Sequence, residues 1–287
     1  MRWREQQVMA ELRAAVGLWG QARRHRTVFA VAKRTRSRLA TVRSVAIVPT
    51  YNEAGNIEAL CRSIREHAPD VGILVVDDNS PDGTGDIAEK IADELGDLSV
   101  LRRARKSGLG AAYRAGMRAA IDAGAEICIQ IDADFSHDPA EIPALISAVE
   151  HGVDLAVGSR YVPGGITENW PSRRRWLSRW GNRYSSGVLG LAINDATAGY
   201  RAYRSSALVD KMDFETVRAD GYGFQVEMTH RLVRAGGKIV EIPITFRDRT
   251  AGQSKMSQNI VHEAFVMVLQ LWIDDRRGRR QRRIRGG

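Results

Sequence analysis

Cysteine is scarce in this chain. Cys61 and Cys128 are the two cysteines of 287 residues, and they lie in separate apolar segments without CxxC spacing. That excludes a disulfide framework and argues against a zinc site, so both read as small buried hydrophobes of a reducing compartment. Long apolar runs are missing too. A membrane span needs about 20 apolar residues; the nearest approach, Ile260 to Ile273, is shorter and contains His262, Glu263 and Gln270. It reads as a helix lying on something rather than crossing it. Met1 to Gly20 mixes arginines with its apolar residues and shows no apolar run before a cleavage site, so no secretory signal is read there. Internal repeats are absent.

With 44% hydrophobic residues, the chain suffices for one large α/β domain with appendages. The net charge of +9 is unevenly spread: residues 1–43 carry +9, residues 274–287 carry +5, and the stretch between them −5. An acidic body with basic ends points to a polyanionic surface at the periphery, anionic lipid or nucleic acid, or else to solvated tails. Division into a basic N-terminal arm (1–43), a main domain (44–256) and an amphipathic C-terminal helix with an arginine-rich tail (257–287) follows. In the arm, Trp3, Val8, Leu12, Val16 and Trp19 fall roughly on one helical face.

From Ser44 short apolar runs alternate with helical patterns. SVAIVP, GILVVDD, LSVLRR, EICIQID and DLAVGSRY predict strands, and NIEALCRSIREHA, DGTGDIAEKIADELG, GLGAAYRAGMRAAIDAG and DPAEIPALISAVEHG predict the helices between them. This alternation implies right-handed βαβ crossovers and a mostly parallel, Rossmann-like sheet flanked by helices. After Tyr161 the pattern loosens into a basic helix, PSRRRWLSRWGNRYSSGVLG, a strand, KIVEIPITF, and a last helix, NIVHEAFVMVLQLWI.

One motif competes with this reading. Asp78, Ser80, Asp82, Gly83, Asp86 and Glu89 nearly reproduce the spacing of an EF-hand calcium loop. An EF-hand needs an entering helix, whereas Ile73 to Val76 is a β-branched run after turn residues, and Gly85 stands where an aliphatic anchor belongs. The strand reading prevails. In an open parallel sheet ligands bind beyond the carboxyl ends of the strands. Thr50 to Glu53, Asp77 with Asp78, and Asp132 with Asp134 therefore emerge together on one rim. In Asp132-Ala133-Asp134 alternate residues point the same way, so both carboxylates can share a hard cation, Mg²⁺ or Mn²⁺, with substrate phosphates completing the shell. An acidic turn before Pro139 is the alternative. The glycines of SGLGAAYRAG suit either a phosphate cradle or close helix–strand packing.

PTYNE (49–53), VDDNSPDGT (76–84), SGLGAAYRAG (107–116), DADFSHDP (132–139), GSRYVPGG (158–165), DATAGYRAY (195–203), GYGFQVE (221–227) and GQSKM (252–256) together resemble the polyprenol (dolichyl) phosphate mannose synthases, inverting GT-A glycosyltransferases of family 2. The resemblance runs over about 44–256, in order. It implies transfer of mannose from GDP-mannose to a polyprenyl phosphate for lipid-linked glycan synthesis. It also implies that Pro49, Tyr51, Glu53 and Asp78 line the base and ribose site, with Asp132 and Asp134 on the metal and diphosphate. Arg160, Arg174 and Arg201 match family arginines on the acceptor phosphate or leaving diphosphate, and Lys255 a mobile-loop lysine closing over the site; a solvated face is an equal reading of any one arginine in RRRWLSR. Ser136 stands where some relatives place a glutamine metal ligand, which leaves the third ligand open.

The implied nucleophile is a phosphate, so no general base is needed, and His137, His230 and His262 read as structural or solvated. The expected location is peripheral, on the cytoplasmic side of the membrane, through the basic ends or a membrane-anchoring partner protein, with a homo-oligomer left open. A UDP-sugar donor is the nearest rival; from other classes come a nucleic-acid-binding protein using its basic tails and a regulatory pseudoenzyme.

Overall fold

The computed structural model describes residues 44–217, 219, 221–248 and 265–277. The expected alternation is present: β1 (Ser44–Thr50), α1 (Ile57–His67), β2 (Val71–Asp77), α2 (Thr84–Leu95), β3 (Leu98–Arg102), α3 (Leu109–Asp122), β4 (Ile127–Gln130), α4 (Ile142–Glu150) and β5 (Leu155–Ser159). Then come β6 (Ile166–Thr167), α5 (Ser172–Leu189), β7 (Arg201–Arg204), α6 (Gly221–Arg234), β8 (Ile239–Pro243) and β9 (Thr245–Phe246). A further helix, α7, spans 265–277. Seven strands form one sheet in the order β3-β2-β1-β4-β7-β5-β8, and β6 pairs with β9 in a small ribbon.

Strand periodicity divides the core in two. Val45, Ile47, Leu74 and Val76 face a cluster containing Met117 of α3 and Phe224 of α6. The intervening Ala46, Val48, Ile73 and Val75 face Leu60 of α1, Ile91 of α2 and Leu145 of α4. Packing on the first face is tight at Gly116, where a Cβ would lie 2.5 Å from Ile47 Cγ2. That glycine therefore serves helix–strand approach. Gly108, which precedes α3, holds φ 93 and ψ 156, a region open to glycine alone.

Three differences from the sequence reading concern the second half. β7 runs antiparallel to both β4 and β5; its four residues, RAYR, carry no β-branched run to announce a strand. GYGFQVE opens α6, where two glycines in the first three positions obscure a helix whose Phe224, Val226, Met228 and Leu232 are buried. KIVEIPITF divides into β8 and β9, which belong to different sheets. α7 runs past Ile273 into the arginines. Among the described residues no helix is long and apolar enough to cross a membrane.

Both cysteines are free and buried. Burial pushes each thiol up to about 12. The thiolate is the reactive form, so the native protein is expected to resist iodoacetamide at mildly alkaline pH and to react at both positions once unfolded. Mass-shift analysis with and without denaturant checks this.

Candidate active site

The carboxyl ends of β1, β2 and β4 bring the expected acidic residues to one rim. Thr50 pairs in register with Asp77, so β1 and β2 end flush. Asp77 turns inward, fully buried, and accepts hydrogen bonds from Thr50 Oγ1 (3.0 Å) and Ser80 N (3.1 Å). Strand alternation sends Asp78 the other way, where it pairs with Arg103 and accepts from Ser107 N at 3.3 Å. Pro49 lies in β1 opposite Val76. The Tyr51 ring lies beneath Lys106, whose Nζ is 3.9 Å from its centroid. Glu53 sits at the entry to α1: its carbonyl accepts from Asn56 N and Ile57 N, and its carboxylate from Asn56 Nδ2 at 3.0 Å. Arg103 and Lys106 went unassigned from sequence, although the run RRARK after β3 signalled a basic loop.

The calcium-loop spacing dissolves in three dimensions. Asp82 is spent on backbone, accepting from Ala54 N and Thr84 N at 3.1 Å each. Burial raises its pKa, but the bonds from Thr84 and Ala54 outweigh this and hold its carboxyl below the usual range. Asp86 and Glu89 lie along α2, paired with Arg102.

Beyond β4, Asp132 Oδ1 accepts from Tyr113 Oη at 2.8 Å, and His137 Nε2 stands 3.8 Å from Asp132 Oδ2. Asp134 Oδ1 accepts from Ser136 N at 3.0 Å, so residue 136 supports the second carboxylate through its backbone. Burial outweighs the nearby carboxylates and keeps the His137 imidazole below its usual pKa. The ring is enclosed by Tyr200 and Phe246. The turn is strained: Phe135 adopts φ 57, and Asn52 and Asn79 at the ends of β1 and β2 are left-handed as well. For a phenylalanine this costs on the order of 1–2 kcal/mol, the kind of local strain that gathers at working sites.

Among the described residues no group of three or more His, Cys, Asp or Glu side chains could hold a metal. Two carboxylates braced by Tyr113 and Ser136 nevertheless fit Mg²⁺ or Mn²⁺, which are held by one or two carboxylates while phosphates and water fill the remaining positions. Nothing in the motif SGLGAAYRAG signals that Tyr113 would reach the Asp132 carboxylate. Burial first, then the Asp132 charge, keeps its phenol protonated far above the usual range and so a hydrogen-bond donor. Tyr113→Phe removes one bond from the Asp132 carboxylate. It is expected to weaken Mn²⁺ affinity in the presence of nucleotide roughly 10–100-fold, measured by paramagnetic titration.

The expected arginines separate. Arg174, in the first turn of α5, stacks on Trp170 (4.3 Å to the ring centroid) and reaches both Asp248 oxygens at 2.8–2.9 Å. Its Nε is buried without a partner among the described residues. Arg160 is buried and donates through Nε and Nη2 to Asp195 at 2.7 and 2.6 Å, with Tyr161, Trp170 and Phe246 around its guanidinium. Arg201 lies inside the fold. It is 0% exposed and donates to the Ala196 and Ala198 carbonyls (2.7 Å each), Gln225 O (3.1 Å) and Thr229 Oγ1 (2.9 Å). It braces the 195–200 loop against α6 and satisfies buried carbonyls there. The loop itself lies over the rim, since a Cβ on Gly199 would sit 3.5 Å from Asp132 Oδ2. Lys255 and His262 lie outside the described residues.

The Glycosyl transferase family 2 model matches residues 45–210, which span the rim from β1 through the 195–200 loop. The chain belongs to this family. Within it, the chain is 46% identical over 239 residues to the polyprenol monophosphomannose synthase of Mycolicibacterium smegmatis, covering 82% of this chain and 89% of that protein. It is 47% identical to the undecaprenyl-phosphate mannosyltransferase of Micrococcus luteus, covering 79% and 93%. Among solved structures, glucosyl-3-phosphoglycerate synthase from Mycobacterium tuberculosis in complex with Mn²⁺, uridine diphosphate and glucosyl-3-phosphoglycerate superposes with a TM-score of 0.61. At 19% identity over 84% of this chain and 83% of that one, it shows the shared GT-A fold. The family-2 chain is thus a glycosyltransferase.

Proposed function

We propose that this chain transfers mannose from GDP-mannose to the terminal phosphate of a polyprenyl phosphate, with inversion at the anomeric carbon. The observation that carries the reading is the 46–47% identity, over about four fifths of the chain, to two enzymes named for polyprenyl-phosphate mannosylation. In this reading Pro49, Tyr51, Glu53 and Asp78 receive the base and ribose, with Arg103 and Lys106 supplying the donor side of the same wall. Asp132 and Asp134 hold the divalent ion, which when bound neutralises charge on the departing diphosphate. Arg174 serves the phosphates, with Lys255 assigned to them by the resemblance alone, while Arg160 shapes the wall behind them through Asp195.

The acceptor phosphate has a second pKa near roughly 6 and is largely dianionic at neutral pH. It attacks directly, the C1–O bond to the diphosphate breaks as the new C1–O bond forms, and no side chain has to take a proton. The protein's work is alignment and electrostatic stabilisation of the leaving group. His137, enclosed by two aromatic rings beside Asp132, suits a supporting role and not that of a base. The acceptor places the enzyme peripherally at a membrane.

The deciding experiment runs radiolabelled GDP-mannose and UDP-glucose in parallel with polyprenyl phosphate and Mg²⁺, and extracts lipid-soluble label. Label from GDP-mannose alone supports the reading; label from UDP-glucose alone replaces the donor.

A further inference from the structure

The face that α5 turns inward is polar where a core-facing helix carries an apolar stripe. Arg174, Ser178, Asn182, Ser185 and Leu189 succeed one another at helical spacing, and the last three are buried. Ser178 accepts a hydrogen bond from Tyr161 Oη at 2.7 Å. Asn182, 1% exposed, grips the 195–200 loop at two points: its Nδ2 donates to Thr197 Oγ1 and its Oδ1 accepts from Thr197 N, both at 3.0 Å. Nδ2 also donates to Ser178 O at 3.0 Å. Burying an amide costs free energy that only directed bonds offset, so the clamp, and not gap filling, accounts for an asparagine here.

Thr197 carries the link to the rim. Its Oγ1 also accepts from Arg160 Nη2 at 3.0 Å, and two residues later Gly199 lies against Asp132. At the other end of the same helical face stands Arg174, two turns and about 12 Å before Asn182. We propose that Asn182 is a positioning residue: its clamp on Thr197 fixes α5 against the acidic rim, and thereby sets the separation between the Arg174 guanidinium and the Asp132 and Asp134 carboxylates. A phosphate group held between that arginine and a divalent ion at the rim depends on this separation. Misplacement by about 1 Å costs on the order of 10²-fold in rate. That Arg174 meets a phosphate rests on the function proposed above.

The test is calorimetric titration of the full chain with inorganic pyrophosphate and Mg²⁺, well below the melting temperature. Asn182→Ala is expected to bind pyrophosphate roughly tenfold more weakly than wild type, with kcat/KM for transfer falling by a similar factor. In an Arg174→Ala background the same change should cost nothing further, because the effect runs through that arginine. Thr197→Val removes the hydroxyl that Asn182 grips and is expected to repeat the loss, which keeps the test open if Asn182→Ala fails to fold; Thr197→Ser keeps the hydroxyl and should restore binding. Wild-type affinity in Asn182→Ala, with only the melting temperature lowered, would reduce the residue to core packing and overturn the proposal. So would losses that simply add to those of Arg174→Ala, or a wild type that does not bind pyrophosphate. A wild type that binds pyrophosphate but transfers no mannose would fault the donor and acceptor reading, while the binding cycle still decides the role of Asn182.

Discussion

Asp134→Asn is expected to lower mannosyl transfer by at least about 10²–10³-fold, a loss on the scale of removing a preorganised electrostatic group from a transition state. The carboxylate is 7% exposed and oriented by the Ser136 N–H, and the amide is nearly isosteric and can still accept that bond. Charge is what disappears, and with it one of the two anionic ligands proposed for the divalent ion. The melting temperature should therefore stay close to wild type, whereas calorimetry should show GDP binding losing most of its dependence on Mg²⁺. Full activity in this variant would mean that Asp132 alone suffices or that the leaving group is stabilised elsewhere.

Asp195→Ala should be the most destabilising single change around the site. Asp195 is fully buried and takes a bidentate bond from Arg160 together with the Arg160 N–H at 3.0 Å. Breaking a buried pair from one side leaves an uncompensated guanidinium and costs roughly 3–5 kcal/mol, about 10 °C for a domain of this size. The loop is also held from beneath: Glu241 of β8 accepts from Asp195 N at 2.9 Å and from Ser159 Oγ at 2.7 Å. Activity should fall further than stability explains, because the same loop lies over Asp132. Thermal denaturation and steady-state kinetics well below the melting temperature separate the two effects. A shift of a degree or two would show that Arg160 finds another counter-charge.

Sequence carried the first half of the molecule well because each signal there was local. Val71 to Asp77 announces itself by β-branched residues, and once β1, β2 and β4 are parallel neighbours, Asp78, Asp132 and Asp134 must share a rim. What stayed hidden depends on contacts distant in sequence. Tyr113 is a helix residue until α3 packs over β1 and brings its hydroxyl to Asp132, 19 positions away. Arg201 fits a motif arginine in sequence, yet antiparallel β7 carries it inside, where five internal acceptors surround it. The basic helix around RRRWLSRW was readable as a helix, but which of its faces remained uncovered was decided only by the arrival of α7.

The central claim is a single direct displacement by a lipid phosphate at a metal-supported acidic rim. The most direct measurement is the anomeric configuration of the mannolipid formed from GDP-α-mannose, read by NMR from the one-bond carbon–hydrogen coupling at C1. The account predicts the β-linked product, one inversion from the α-linked donor. An α-linked product would require two displacements or a front-face route, and would contradict it.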